Sequence, residues 1–277
     1  MPVDADPDGL ADSAPGDETV ERDDSPSGGD ALPINELFHS LQGEGRLAGV
    51  PSVFVRTSGC NLRCWFCDSY HTSWEPSHAR LGLDAIVAEI EGYDADHVVL
   101  TGGEPLLHEA SVTLLERLDA AGYHTTVETN GTIFRDAPID LASVSPKLAS
   151  STPSADLADG ETPRPDGEPV DPAAAERHEA ARLDLDALAR LVETYDTQLK
   201  FVVTGPDDLP EIDRLVERVR DAADAPVPDG DVLLMPEGAT REALEGTRET
   251  VAELALDRGY RYTPRLHVDL WNDAPGT

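Results

Sequence analysis

Gly59–Ser69 reads GCNLRCWFCDS and holds all three cysteines of a 277-residue chain. The spacing Cys60-x3-Cys64-x2-Cys67 puts three thiolates within reach of one metal centre, and Gly59 and Asn61 provide the backbone freedom to wrap around it. An odd number of clustered cysteines builds no complete disulfide framework, so metal or redox chemistry is the stronger use. On spacing alone two metal readings stand open. One is a structural zinc site with His71 as fourth ligand; the other is an iron-sulfur cluster on three cysteines, with one iron left open. Unligated buried thiols are a third reading, which the close spacing disfavours.

The loop follows SVFVRTS, the first of several short β-branched or apolar runs that alternate with amphipathic stretches. That alternation is the signature of βα units and a mostly parallel sheet. Strands are predicted at SVFVRTS, HVVLT, HTTVET, LASVS, QLKFVVT and DVLLMP, with RLHVDL as a final one. Helices are predicted at Leu83–Glu91, Ala110–Ala121, Leu183–Tyr195, Leu209–Ala222 and Arg241–Arg258. The predicted fold is α/β, a partial (β/α)6-type barrel with a curved, mostly parallel sheet. GGEP, TNG, SPK, TG and PEG follow successive strands, and the carboxyl ends of parallel strands form the rim where active sites sit.

Composition bounds the rest. Fifty-five acidic residues against 21 basic ones give a formal charge of -34, and Lys147 and Lys200 are the only lysines. Nucleic acid is thereby disfavoured as a ligand, because phosphate binding needs a dense basic surface. An acidic, lysine-poor surface suits a protein kept soluble in high salt, so a halophilic host is expected. No apolar run approaches the roughly 20 residues that cross a bilayer, and a cytoplasmic, membrane-free protein is expected. Residues 1–33, rich in Asp, Pro, Gly and Ser, are expected to form a disordered acidic tail. Residues 34–277 then form one domain, with a flexible acidic insertion at about 150–180.

Taken together, the cysteine loop with Phe66 before its last cysteine, and TGGEP (Thr101–Pro105) at the end of the next strand, resemble the radical S-adenosylmethionine (SAM) superfamily. The resemblance extends through Phe38–Ser69, VETNGT (Val127–Thr132), VSPK (Val144–Lys147), LKFVV (Leu199–Val203) and RLHVDLW (Arg265–Trp271) to the 7-carboxy-7-deazaguanine synthase family. It implies a carbon-nitrogen lyase that converts 6-carboxy-5,6,7,8-tetrahydropterin to 7-carboxy-7-deazaguanine with loss of ammonia. The product would enter queuosine or archaeosine, modified tRNA nucleosides.

The implied cofactors are a [4Fe-4S] cluster on Cys60, Cys64 and Cys67, SAM, and Mg²⁺ at Ser69, where the family usually has threonine. SAM is expected against Phe66, Cys67, Asp68, Gly103, Ser145, Pro146 and Lys147. The pterin is expected against Leu41, Gln42, Gly43, Arg56 and Thr101. Gln42 offers an amide donor and acceptor to a pterin edge, and Arg56 a bidentate fork to a carboxylate. Gly102 and Gly103 are read as letting the backbone approach the methionyl end of SAM. Lys200 is read either as a ligand-facing cation or as a structural ion pair, and His267 as a substrate contact or a core histidine. A ferredoxin or flavodoxin electron donor and a homodimer are implied by resemblance. The alternatives are an activating enzyme that makes glycyl radicals on a protein, and a zinc-stabilised interaction domain.

Overall fold

The computed structural model describes residues 30–154, 171–272 and 274. The chain runs β1 (Ala31–Leu41), β2 (Pro51–Thr57), α1 (Tyr70–Ser73), β3 (Ala79–Gly82), α2 (Leu83–Ile90), β4 (His97–Gly102), α3 (Ala110–Ala121) and β5 (His124–Thr129). It continues through β6 (Leu141–Val144), α4 (Pro172–Ala181), α5 (Leu185–Thr194), β7 (Thr197–Val203), α6 (Leu209–Ala222), β8 (Val232–Pro236), α7 (Arg241–Arg258), β9 (Arg261–Tyr262) and α8 (Leu266–Trp271). One nine-stranded sheet has the order β3-β1-β2-β4-β5-β6-β7-β8-β9. From β2 to β9 every neighbouring pair is parallel, and β1 runs antiparallel to both β2 and β3. The predicted partial α/β barrel is therefore present, with an antiparallel extension at one edge.

The central strands carry apolar residues where they pack beneath the helices and leave polar side chains such as Lys200 to the cavity. Val98, Val99 and Leu100 of β4 and Leu199, Phe201 and Val203 of β7 are all fully buried. The helices cover them with one apolar stripe each. In α6 this stripe is Leu209, Ile212, Leu215, Val216 and Val219, at helical spacing. Caps fix the ends: Asp184 accepts from the Ala187 N–H at the start of α5, Thr240 from the Ala243 N–H at the start of α7, and Gly122 closes α3 at φ 85°. Among the described residues no helix is long and apolar enough to cross a membrane.

Two expectations change. The tail boundary moves, because β1 begins at Ala31, so residues 31–33 belong to the sheet, while 1–29 lie outside the described residues. β1 was not legible because a register shift between Ile34 and Glu36 breaks its alternation, with Asn35 donating sideways to the Ser77 carbonyl at 2.9 Å. Of the expected insertion at about 150–180, both flanks are placed in the structure. Residues 155–170 lie outside the described residues, but α4 on its far side is a capped helix with His178 buried. RLHVDL is not a strand. Leu266–Trp271 is helical, with only Val268 buried, and the last strand is the short β9 just before it. Apolar residues at 266, 268 and 270 imitate strand alternation, yet the chain leaves the sheet at Pro264, and Leu266 N–H bonds to the Gly43 carbonyl at 2.8 Å.

Candidate active site

The carboxyl ends of β2, β4, β5, β6, β7 and β8 open onto one cavity of about 670 Å³, within the range of small-molecule sites. Every residue expected to meet cluster, SAM, Mg²⁺ or pterin lines it except Pro146, which is buried between Ser145 and Lys147.

The cysteine loop forms one wall and is tied down along its length. Gly59 N–H donates to the Thr72 carbonyl at 2.7 Å, and its own carbonyl accepts from Glu104 N–H at 2.9 Å. Asn61 donates to Thr132 Oγ1 and accepts from Asn130, both at 2.9 Å, joining the loop to the TNG turn. Trp74 Nε1 donates to the Cys64 carbonyl at 3.0 Å, and Trp65 Nε1 to the Ser150 carbonyl at 2.6 Å.

Burial pushes the Cys60 thiol up to about 11 and Cys64 up to about 12, and raises Cys67 as well; as thiolates, the three also repel one another. Such a trio ionises only when a cationic centre binds it, which is what an iron cluster supplies. His71 lines the same cavity.

The GGEP glycines also make close backbone approaches within the protein. Gly102 has φ 116°, and a Cβ on it would stand 2.0 Å from the Thr57 carbonyl oxygen; on Gly103 it would stand 2.1 Å from that of Gly59. They let the turn press against the end of β2 and the first residue of the cysteine loop, so they set the loop's position before any ligand arrives. Glu104, next in the motif, faces inward and is fully buried. Burial pushes its carboxyl up to about 7 against bonds from the Asn130 and Leu106 N–H groups and the Thr129 hydroxyl.

Arg56, on β2, lies opposite Glu36 of β1. Its Nε is 2.9 Å from Glu36, its guanidinium lies 5.4 Å from the Phe38 ring centroid, and its Nη1 donates to Ser69 Oγ at 2.7 Å. Phe38 is fixed in turn by stacking on Phe54 at 5.0 Å. Ser69 Oγ also approaches Asp68 at 3.3 Å. Across the cavity Lys147 Nζ donates to Ser145 Oγ at 2.7 Å.

The floor is a buried charge network that sequence reasoning met only at Lys200. Lys200 Nζ lies 2.7 Å from both Glu44 and Glu128, so the structure realises its ion-pair reading inside the cavity wall. Arg265 pairs with Glu44 at 3.2 Å, forms a close ion pair with Asp68, and donates to the Gly238 carbonyl at 2.9 Å. Burial pushes the Glu44 carboxyl up, but Lys200, Arg265 and His267 outweigh it and hold it well below the usual carboxylate range. Arg265 likewise overcomes burial to hold Asp68 low. Gln42 donates to Glu128 at 3.3 Å and accepts from Glu44 N–H at 3.2 Å, so both ends of its amide have a partner within the protein. His267 stands 4.0 Å from Glu44, and burial lowers its affinity for a proton. Glu44, Glu128 and Arg265 carried one signal that was passed over: charges inside segments otherwise built of Gly, Thr or apolar residues.

Known proteins agree with this geometry. The radical SAM superfamily matches residues 54–148, from β2 through the SPK turn. The 7-carboxy-7-deazaguanine synthase of Halobacterium salinarum is 65% identical over 265 residues, spanning 95% of this chain and 100% of that protein. The enzyme of the same name from Rhodopirellula baltica is 42% identical over 248 residues, 89% of each chain. The crystal structure of QueE from Escherichia coli superposes with a TM-score of 0.60 at 26% identity, covering 86% of this chain and 95% of that one. Enzymes of this superfamily work with a [4Fe-4S] cluster and SAM. The chain belongs to the 7-carboxy-7-deazaguanine synthase family of radical SAM enzymes.

Proposed function

We propose that this cavity converts 6-carboxy-5,6,7,8-tetrahydropterin to 7-carboxy-7-deazaguanine with loss of ammonia. The observation that carries the reading is that the three cysteines of one loop and a network of paired charges around Lys200 and Arg265 line one small-molecule-sized cavity. Cys60, Cys64 and Cys67 would hold the cluster as thiolates, whose mutual repulsion suits a cationic centre. When bound, cluster and SAM supply the hydrogen-atom abstraction that a pterin ring contraction requires. Gly103, Ser145, Pro146, Lys147, Phe66, Cys67 and Asp68 form the SAM side, and Leu41, Gln42, Gly43, Arg56 and Thr101 the pterin side.

Arg56 is pre-aimed: an ion pair with Glu36 and the Phe38 ring fix the guanidinium, leaving the Nη edge toward Ser69 and the cavity. A substrate carboxylate docked there displaces the neutral Ser69 hydroxyl as acceptor, since charge-assisted bonds are the stronger. Ser69 Oγ would then be available to hold Mg²⁺. Glu44 and Glu128, both paired with Lys200, offer carboxylate acceptors to the donor edge of a pterin beside Gln42. A one-electron donor of ferredoxin or flavodoxin type, a homodimer, and delivery toward archaeosine or queuosine rest on family resemblance alone.

The test uses anaerobically reconstituted, reduced protein with SAM, Mg²⁺ and 6-carboxytetrahydropterin, read by mass spectrometry and metal analysis. The expected result is 7-carboxy-7-deazaguanine with about four irons per chain. SAM cleavage without that product removes the pterin assignment, and zinc without cleavage removes the cluster.

A further inference from the structure

His178 lies on α4, beyond the acidic insertion and outside every motif that defines the site. It is 1% exposed. Its Nδ1 accepts from the Arg63 N–H at 3.0 Å, inside the three-residue spacer between Cys60 and Cys64. Its Nε2 lies 2.9 Å from Ser151 Oγ, and that hydroxyl donates to the Leu148 carbonyl at 2.6 Å. The Ser151 proton is thereby committed to Leu148, so His178 Nε2 must carry a hydrogen and Nδ1 a lone pair. A single neutral tautomer satisfies all three bonds. The Leu148–Ser151 segment, directly after Ser145–Lys147, also holds Trp65 through the Ser151 carbonyl at 3.1 Å. The imidazole thus joins the cysteine loop to the SPK segment, and without it the Arg63 N–H loses its acceptor in a partly buried turn.

We infer that His178 is a positioning residue for the cluster, its imidazole clamping the Arg63 amide and so holding the Cys60–Cys64 arm of the loop at its spacing from the SPK wall. The inference rests on reading Cys60, Cys64 and Cys67 as cluster ligands. It assigns the far flank of the insertion a part in the site.

Two substitutions of similar volume separate this role from simple packing. His178→Asn keeps an acceptor at the Nδ1 position and cannot reach Ser151; His178→Gln carries its amide at the Nε2 position and leaves Arg63 unpaired. Amide exchange of the 60–67 peptide is followed by mass spectrometry on the full chain without iron. Iron release to a chelator is followed on the anaerobically reconstituted protein. His178→Gln is expected to raise both rates about tenfold, the effect of one partly buried donor left unpaired, and His178→Asn to stay within about threefold of the parent. The two variants behaving alike, whether both intact or both impaired, overturns the inference. If exchange separates them while no form, parent included, retains iron, the clamp stands and the cluster reading falls.

Discussion

Lys200→Met tests the charge network most directly. Lys200 is 3% exposed and lies 2.7 Å from two carboxylates that are themselves 16% and 18% exposed. Methionine fills the same volume and leaves both carboxylates without their shared cation. Breaking a buried pair from one side typically costs about 3–5 kcal/mol, because a desolvated charge is left uncompensated. For a chain of this size that corresponds to a fall of about 10 °C in thermal midpoint.

Two signatures distinguish this from loss of a surface pair. The deficit persists in molar KCl, where exposed pairs are screened at about 3 Å. It also depends on pH in a defined direction. In the parent, Glu44 is held below the usual range, so its stabilising contribution is full above the ordinary carboxylate pKa and is lost as pH falls below it. In the variant, burial is no longer offset by Lys200 and Glu44 resists ionising, so the deficit is largest at pH 7 and shrinks toward pH 5. Glu128→Gln added to Lys200→Met is expected to recover part of the loss. Differential scanning calorimetry of parent and variants at both pH values and two salt concentrations reads all of this. A midpoint within about 3 °C of the parent at pH 7, or a deficit independent of pH, refutes the reasoning.

Gly103→Ala forces a methyl to within 2.1 Å of the Gly59 carbonyl, so a stability loss of about 1–3 kcal/mol and a lower iron content after reconstitution are expected; unchanged iron loading contradicts the assigned role. His97 bridges Ser52 and Thr126 at 2.7 and 2.8 Å, and burial lowers it from 6.5 to about 4. Because the unfolded chain takes up that proton first, stability falls as pH drops through this window, and His97→Gln is expected to flatten the acid limb of midpoint against pH. The charge of -34 predicts that exchange from molar to 0.1 M KCl lowers the thermal midpoint, since screening retreats from about 3 Å to 10 Å; a midpoint that rises on dilution removes the link between the acidic surface and high salt.

Much of the fold was legible in single segments. HTTVET and Ala110–Ala121 form elements with the predicted boundaries, because β-branched runs and a helix closed by Gly122 are decided by nearest neighbours. The cysteine spacing and GGEP likewise announced a cofactor site, since thiolate ligands and close-approach glycines leave few substitutes. Other features depended on residues far apart in the chain. β1 carries a bulge whose alternation returns only when it is paired with β2 and β3. RLHVDLW has strand-like periodicity, but Arg265 is drawn over the cavity by Glu44 and Asp68, which lie 221 and 197 residues away. No local pattern announces Lys200 as the partner of Glu44 and Glu128, or His178 as the acceptor for Arg63. By itself the sequence determined most of the parallel strands, the helices between them and the clustering of the thiols, because these follow from propensity and spacing. Only the tertiary structure decided which buried charges and imidazoles meet, because a desolvated charge or amide takes whichever partner the folded chain brings within hydrogen-bond reach.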